Sequence, residues 1–314
     1  MVERQLGPDS RTVLYAVIGD PIVQSKSPAM MNRAFRETGI NAAYVAFHVR
    51  PEHLAGAIVG MRAFGMGGMN VTIPHKQAAL SLLDEVDESA AAIGAVNTIV
   101  NRNGRLVGYN TDGIGYVRSL QEETGFDPAG RRIVVLGAGG GARGIVHALL
   151  RERPARVFVA NRTAEKAERL ARELGAFGPV EGGGLGDLKE QIAEADLLIN
   201  TTSVGMAPLD HLSPVEADWL HPGLIVSDIV YNPMETVLLR LAKEKGCAVH
   251  GGLGMLIHQG ACAFEYWTGT AAPVAAMREA ALEAMGLGWS ESGGSGTGAS
   301  ASDAGASGGS GTVR

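Results

Sequence analysis

The run Ile133-Val134-Val135-Leu136-Gly137-Ala138-Gly139-Gly140-Gly141-Ala142-Arg143-Gly144 limits the fold more than any other stretch of the chain. Four consecutive aliphatic residues suit a strand buried on both faces, and the glycines after them let the backbone turn into a helix. The spacing is G-x-G-x-x-A, with Gly137, Gly139 and Ala142 at the marked positions. Each meets a separate demand of a dinucleotide site: a tight turn, close approach of backbone to a pyrophosphate, and close packing of helix on strand. Backbone N–H groups at the helix end then face the anion. In a chain with 44 glycines an ordinary strand-to-helix loop competes with this reading, and the flanking sequence has to decide between them.

The next strand, Arg156 to Ala160, ends in Asn161-Arg162-Thr163. A site for NAD places an acid roughly 20 residues beyond the glycines to hold the ribose 2′-hydroxyl. Here the position carries Arg162, with Lys166 one helical turn on, which suits a 2′-phosphate and so NADP; a solvated surface arginine is the plainer alternative. Thr163 is placed to cap the helix that Ala164 to Leu174 continues. Ala195 to Asn200, Leu224 to Val230 and Ala248 to His250 read as further strands, and Gly182-Gly183-Gly184 as a loop without function. Met255 to Trp267 reads as a long apolar helix, placed to return to the first domain.

A chain of 314 residues, 46% hydrophobic, can build two packed α/β lobes. A formal charge of −6 and a pI near 5.8 give no footprint for nucleic acid or an anionic membrane surface, so an anionic ligand must be held locally. Met1 to Arg11 lacks an apolar leader core, and no run of ~18 apolar residues follows, which suggests a cytoplasmic protein. Cys247 and Cys262 lack a C-x-x-C spacing and read as reduced, buried thiols, and the eight histidines show no metal-ligand spacing, so no metal is expected.

Ahead of the glycine turn, Leu14 to Gly19 and Ala43 to Phe47 read as strands, and Pro51 to Phe64 as a helix. Between the strands, Ser25-Lys26-Ser27-Pro28 marks a helix start, where Ser27 can serve as an N-cap and, compatibly with that, present hydroxyls and helix-end N–H groups to a carboxylate. Gly68 to Val71 runs into Thr72-Ile73-Pro74-His75-Lys76, a strand ending in a polar loop. Strand–helix repetition argues for a mainly parallel sheet, which puts Thr72 and Lys76 at its carboxyl ends, where ligands gather. A lone lysine is ordinarily solvated surface and needs a partner. Asn103-Gly104 signals a hairpin that delivers Asn110-Thr111-Asp112-Gly113, and Asp112 is either the N-cap of the next helix or that partner.

Taken together, the motifs Ser25 to Pro28, Asn70 to Lys76, Gly94 to Thr98, Gly108 to Gly113, Gly137 to Ala142, Asn161 to Thr163, Asn200 to Met206, Tyr231 to Pro233 and Gly252 to Gln259 resemble the shikimate dehydrogenase family. The resemblance spans about Ala16 to Met285 and implies a two-domain α/β fold with a central cleft. An N-terminal substrate domain at 12–112 would be completed by returning helices at 253–289, and a Rossmann-type NADP-binding domain would occupy 113–252. The Gly/Ser-rich stretch at 290–314 has the composition of a disordered tail. The implied reaction is the reversible, NADP-linked reduction of 3-dehydroshikimate to shikimate on the route to chorismate and aromatic amino acids.

By matching positions, Ser25 and Ser27 would bind the substrate carboxylate, while Thr72, Asn97, Asp112, Tyr231 and Gln259 would hold its hydroxyls or reacting region. Lys76 and Asp112 would be the catalytic pair. Gly137, Ala138, Gly139, Gly140 and Gly141, with Asn161, Arg162, Thr163 and Lys166, would hold the cofactor phosphates. Asn200, Ile229, Gly252 and Met255 would lie near its nicotinamide. Met31 stands where relatives often have His, and Lys166 where some have Arg, which keeps the charge without the bidentate fork. Two other readings stay open: an NAD-dependent quinate/shikimate dehydrogenase, and a non-catalytic NADP-binding regulator. The sequence expects a small-molecule substrate, no fused second enzyme, and is compatible with a homodimer.

Overall fold

The computed structural model describes residues 8–287; the stretch at 290–314 and the end of the last returning segment lie outside them. Two six-stranded sheets organise the chain. The first contains β1 (Val13–Gly19), β2 (Ala42–His48), β3 (Gly68–Val71), β4 (Glu85–Val86), β5 (Thr98–Arg102) and β6 (Arg105–Tyr109), in the order β2-β1-β3-β5-β6-β4. Only part of it is parallel: β5 runs antiparallel to both β3 and β6. The hairpin accounts for the β5–β6 pairing, because Asn103 (φ 53°) and Gly104 (φ 88°) turn the chain back within two residues.

The second sheet is parallel throughout, with β7 (Arg132–Leu136), β8 (Arg156–Ala160), β9 (Val180–Gly183), β10 (Leu197–Asn200), β11 (Ile225–Asp228) and β12 (Ala248–His250). Its order, β12-β11-β10-β7-β8-β9, reverses between β7 and β10, so a crevice opens beyond the carboxyl end of β7. The expected loop at Gly182 is instead the edge strand β9. Val157 and Val159 hold it in register with Val180 and Gly182, and the lack of side chains lets it lie against α6 (Ala164–Leu174).

Helices tie the sheets together. Beyond β12, α9 (Gly252–Thr268) places Leu253, Ile257, Ala261 and Phe264 in one apolar cluster with Tyr15, Val17, Met30 and Phe35. Trp267 Nε1 then donates to the Ile99 carbonyl at 2.9 Å. The last helix, α10 (Val274–Ala284), covers α1 (Ser27–Glu37). The helix that opens with Asp112, α4 (Asp112–Thr124), packs along α9 and along α5 (Gly140–Arg151), the helix after the glycine turn. A Cβ on Gly113 would run into the Gly144 carbonyl, so α4 and α5 meet backbone to backbone.

A buried polar relay fixes α4 against the second sheet. Tyr116 donates to Ser227 Oγ at 2.9 Å, and Ser227 and Ser119 hydroxyls bond Nδ1 and Nε2 of His250 at 2.9 and 2.7 Å. Burial, with Arg278 and His258 nearby, lowers the His250 pKa from 6.5 to about 4, so the ring is neutral beside the Glu123 carboxylate 3.7 Å away. Unfolded His250 titrates near 6.5, and the unfolded chain therefore binds more protons between these two values. Stability is expected to fall by about 3 kcal/mol as pH drops from 7 to 4 on account of this ring. Urea titrations across that range should show a shallower pH slope in His250→Asn, and an unchanged slope would refute the account.

Candidate active site

The loop after β3 carries Lys76, and the hairpin β5–β6 delivers Asp112 to the first turn of α4. The two converge, with Lys76 Nζ 2.5 Å from Asp112 Oδ2 and the lysine side chain 25% exposed against 8% for the aspartate. Asp112 is not the N-cap; Thr111 takes that place, and the carboxylate is used elsewhere. Its Oδ1 accepts from Asn97 Nδ2 at 2.8 Å. The same amide nitrogen donates to Thr111 Oγ1, and Asn97 Oδ1 accepts the Thr111 N–H at 2.8 Å. Asn97 thus fixes the carboxylate from below, and the Lys76 carbonyl accepts the neighbouring Val96 N–H at 2.8 Å.

Ser25, Ser27 and Asn97 lie on one polar path that runs through Tyr44 and Asn70. Thr72 is half-buried, its N–H bonded to the Ile18 carbonyl at the end of β1. Ser27 is the first residue of α1 and not its cap: Lys26 occupies that position without a side-chain cap, because Pro28 starts the helix early. Ser25 Oγ accepts the Ser27 N–H at 3.3 Å, and the Ser27 hydroxyl lies against the Tyr44 phenol. Tyr44 donates to Asn70 Oδ1 at 2.6 Å, and Asn70 donates to the Asn97 carbonyl and to Thr98 Oγ1, both at 3.1 Å.

Tyr44 and Asn70 belong to this network although sequence reasoning did not single them out as site residues. The available signal was a polar amide inside a strand buried at every position, which requires partners. From the far side, Gln259 on α9 offers its carbonyl to Thr111 Oγ1 at 3.0 Å, and Tyr231, beyond β11, packs on the first sheet's apolar cluster, where burial raises its phenol pKa.

The helix that follows the glycine turn packs on the helix that Asp112 opens. Gly137 has φ +105°, and a Cβ there would meet Thr201 Oγ1 at 2.7 Å, so only glycine fits. Around Gly139 and Gly140 a Cβ would meet nothing within 4 Å, and both are exposed, which leaves room for a ligand against the backbone. Ala138 and Gly141 are half-buried next to them. Ala142 is fully buried, as close helix packing demands. One turn into α5, a Cβ on Gly144 would stand 3.4 Å from Asn110 Oδ1 and 3.6 Å from Asp112 Cβ.

Arg162, Thr163 and Lys166 are exposed at the start of α6, and Asn161 donates to the Thr163 carbonyl at 2.9 Å. Thr163 has the extended backbone of an N-cap but makes no side-chain cap bond, which departs from its expected role. The Asn200 amide is spent inside the protein: it donates to Asp228 Oδ1 at 3.0 Å and to the Val204 carbonyl at 2.9 Å, and accepts from Thr202. Burial raises the Asp228 pKa against the bonds it accepts from Val230, Thr236 and Asn200. Ile229 reaches toward Gly141, Gly252 lies on the Ile229 carbonyl, and Met255 packs on the second sheet's core, so these three gather at one corner.

Profiles of three domain families match the chain in order: the shikimate dehydrogenase substrate binding domain at 17–99, shikimate/quinate 5-dehydrogenase at 119–215, and the shikimate 5′-dehydrogenase C-terminal domain at 252–282. A shikimate dehydrogenase (NADP(+)) of Geobacillus kaustophilus is 52% identical over 272 residues, covering 87% of this chain and 98% of the relative. The chain belongs to the shikimate dehydrogenase family. Among solved structures, a shikimate dehydrogenase in complex with NADP+ superposes with a TM-score of 0.82 at 42% identity, covering 88% of this chain and 97% of that one. The Thermus thermophilus family member, solved with NADP(H) and shikimate, gives a TM-score of 0.80 at 38% identity over 87% of this chain and all of its own.

The Asn97 network sets a stability prediction. Asn97→Ala leaves the buried Thr111 N–H and Asp112 Oδ1 without their partner, and should cost about 1–3 kcal/mol in chemical denaturation with an unchanged m-value.

Proposed function

We propose that the chain catalyses the NADP-linked interconversion of shikimate and 3-dehydroshikimate, with Lys76 and Asp112 as its catalytic pair. The observation that carries this reading is the 2.5 Å contact between Lys76 Nζ and Asp112 Oδ2, with Asp112 opening a helix that packs backbone to backbone on the helix after the glycine turn. Oxidising a secondary alcohol removes a hydride from carbon and a proton from oxygen, so a titratable group must stand within hydrogen-bond reach of that oxygen. NADP supplies the hydride chemistry when bound.

The residues present fit that cofactor. Open backbone at Gly139 and Gly140 suits its pyrophosphate, and the exposed cations Arg162 and Lys166 suit a 2′-phosphate. Ser25 and Ser27, at the first turn of α1, offer hydroxyls and helix-end N–H groups to a carboxylate. Thr72, Asn97, Tyr231 and Gln259 are assigned to the substrate hydroxyls by their positions in the family motifs. In reduction, the Lys76 ammonium hydrogen-bonds the carbonyl oxygen and supplies the proton that it gains. Asp112 holds Nζ in place, and Asn97 holds Asp112. The domain assignment follows the same logic: a substrate domain on the first sheet, completed by α9 and α10, facing an NADP-binding domain on the second. The reading includes a cytoplasmic setting, and sedimentation of the purified protein tests the homodimer.

Lys76→Ala should lower kcat by about 10²–10⁴-fold while KM for shikimate changes by less than about 10-fold, since proton transfer acts in the transition state. A raised KM at unchanged kcat would overturn the catalytic assignment. Steady-state rates with shikimate or quinate, and with NADP or NAD, test the substrate and cofactor. No shikimate-dependent NADPH formation would sink the reading, and a preference for NAD would remove the role given to Arg162.

A further inference from the structure

Arg143 follows the glycine turn and has no part in the site described above. Its side chain is only 17% exposed and reaches across to a segment of the first sheet. Nε donates to the Ile93 carbonyl at 2.6 Å, and Nη2 lies 3.5 Å from the Ala92 carbonyl. Both carbonyls belong to α3 (Glu88–Ile93), a short helix inserted between β4 and β5 of the first sheet. A helix leaves its last four carbonyls without internal partners. Here the Gly94 N–H, from a left-handed C-cap at φ 72°, serves Ala90 and Ala91. The other two, Ala92 and Ile93, are served by Arg143, so α3 is capped in part by a residue of the opposite sheet.

The segment that Arg143 grips leads straight into the catalytic network. After Gly94, the Ala95 carbonyl accepts from Asn110 Nδ2 at 3.0 Å, the Val96 N–H holds the Lys76 carbonyl, and Asn97 holds Asp112. The other end of the connection is equally direct. The Arg143 N–H bonds the Gly139 carbonyl at 3.1 Å, which places its backbone in the turn, and its guanidinium also pairs with Glu173 of α6, the helix that begins after Arg162 and Thr163. A planar fork with several fixed donors binds two carbonyls and a carboxylate in one geometry, which a compact ammonium on a flexible stem does not reproduce.

We propose that Arg143 is a positioning residue that sets the separation between the dinucleotide turn and the Lys76–Asp112 pair, and is not itself a phosphate ligand. The proposal rests on the functional reading above. Hydride transfer and proton transfer must meet at one carbon–oxygen bond, and a displacement of about 1 Å can cost about 10²-fold in rate. Losing the fork should therefore loosen the alignment of two sites that each remain intact.

The test uses Arg143→Met, which keeps an apolar stem, and Arg143→Lys, which keeps the charge. Kd for NADP is measured by titration, kcat and KM for shikimate by steady-state assay, and backbone protection by hydrogen exchange. The expected result is Kd for NADP within about 3-fold of the parent in both variants. With it should come a kcat drop of about 10–100-fold that lysine does not restore, and faster exchange confined to the segment around Ala95–Asn97. A Kd increase that matches the loss in kcat/KM, and that Arg143→Lys largely restores, would make Arg143 a phosphate ligand and overturn the proposal. An unchanged kcat would overturn it as well. Should the parent fail to turn over shikimate, the functional reading falls, while the exchange measurement still decides whether Arg143 holds the segment.

Discussion

One ammonium–carboxylate contact organises the rest of the molecule. Lys76 and Asp112 come from different elements of the first sheet and are held by neighbouring residues, Lys76 by the Val96 N–H and Asp112 by the Asn97 amide. The carboxylate is almost fully buried, a costly placement unless every lone pair is used. Lys76 bonds one of its oxygens and Asn97 the other, while the backbone N–H of Asp112 is held separately by the Asn110 side chain at 3.1 Å. Because the pair is nearly desolvated on the aspartate side and open on the lysine side, the charge that can meet a ligand is the lysine's.

The second sheet matters to this pair through close backbone packing. Glycines at 113 and 144 let α4 and α5 touch, which brings the first turn of the glycine-turn helix against Asp112. A Cβ at 113 would run into the Gly144 carbonyl and push the glycine-turn helix away from Asp112. Polar contacts reinforce the approach from two directions: the Tyr116–Ser227–His250–Ser119 relay on one flank and the Arg143 fork on the other. The substrate side and the cofactor side are therefore coupled by α4, α5 and α9 and by no covalent constraint beyond the chain itself.

Much of the fold was legible in the sequence because period and punctuation were strong. The apolar runs of β7, β8, β10 and β11 and the Asn103-Gly104 turn each have a local cause. The Gly182 strand was not legible, since its pairing comes from β8 and its shape from contact with α6, neither of which leaves a local mark. Ser27 and Asp112 were ambiguous for a similar reason: both residue types favour helix caps, and only tertiary partners draw them away. Tyr44 and Asn70 escaped notice as site residues because their role is to support other polar groups.

By itself the sequence determined the α/β class, the glycine turn with its arginine in place of an acid, and the family, because these depend on residue types at short, fixed spacings. Tertiary structure alone decided that Lys76 meets Asp112, that Asn200 spends its amide internally, and that Arg143 reaches the opposite sheet. Those facts depend on distances between segments far apart in the chain. Such distances are set by how closely helices and sheets pack, which no local pattern encodes.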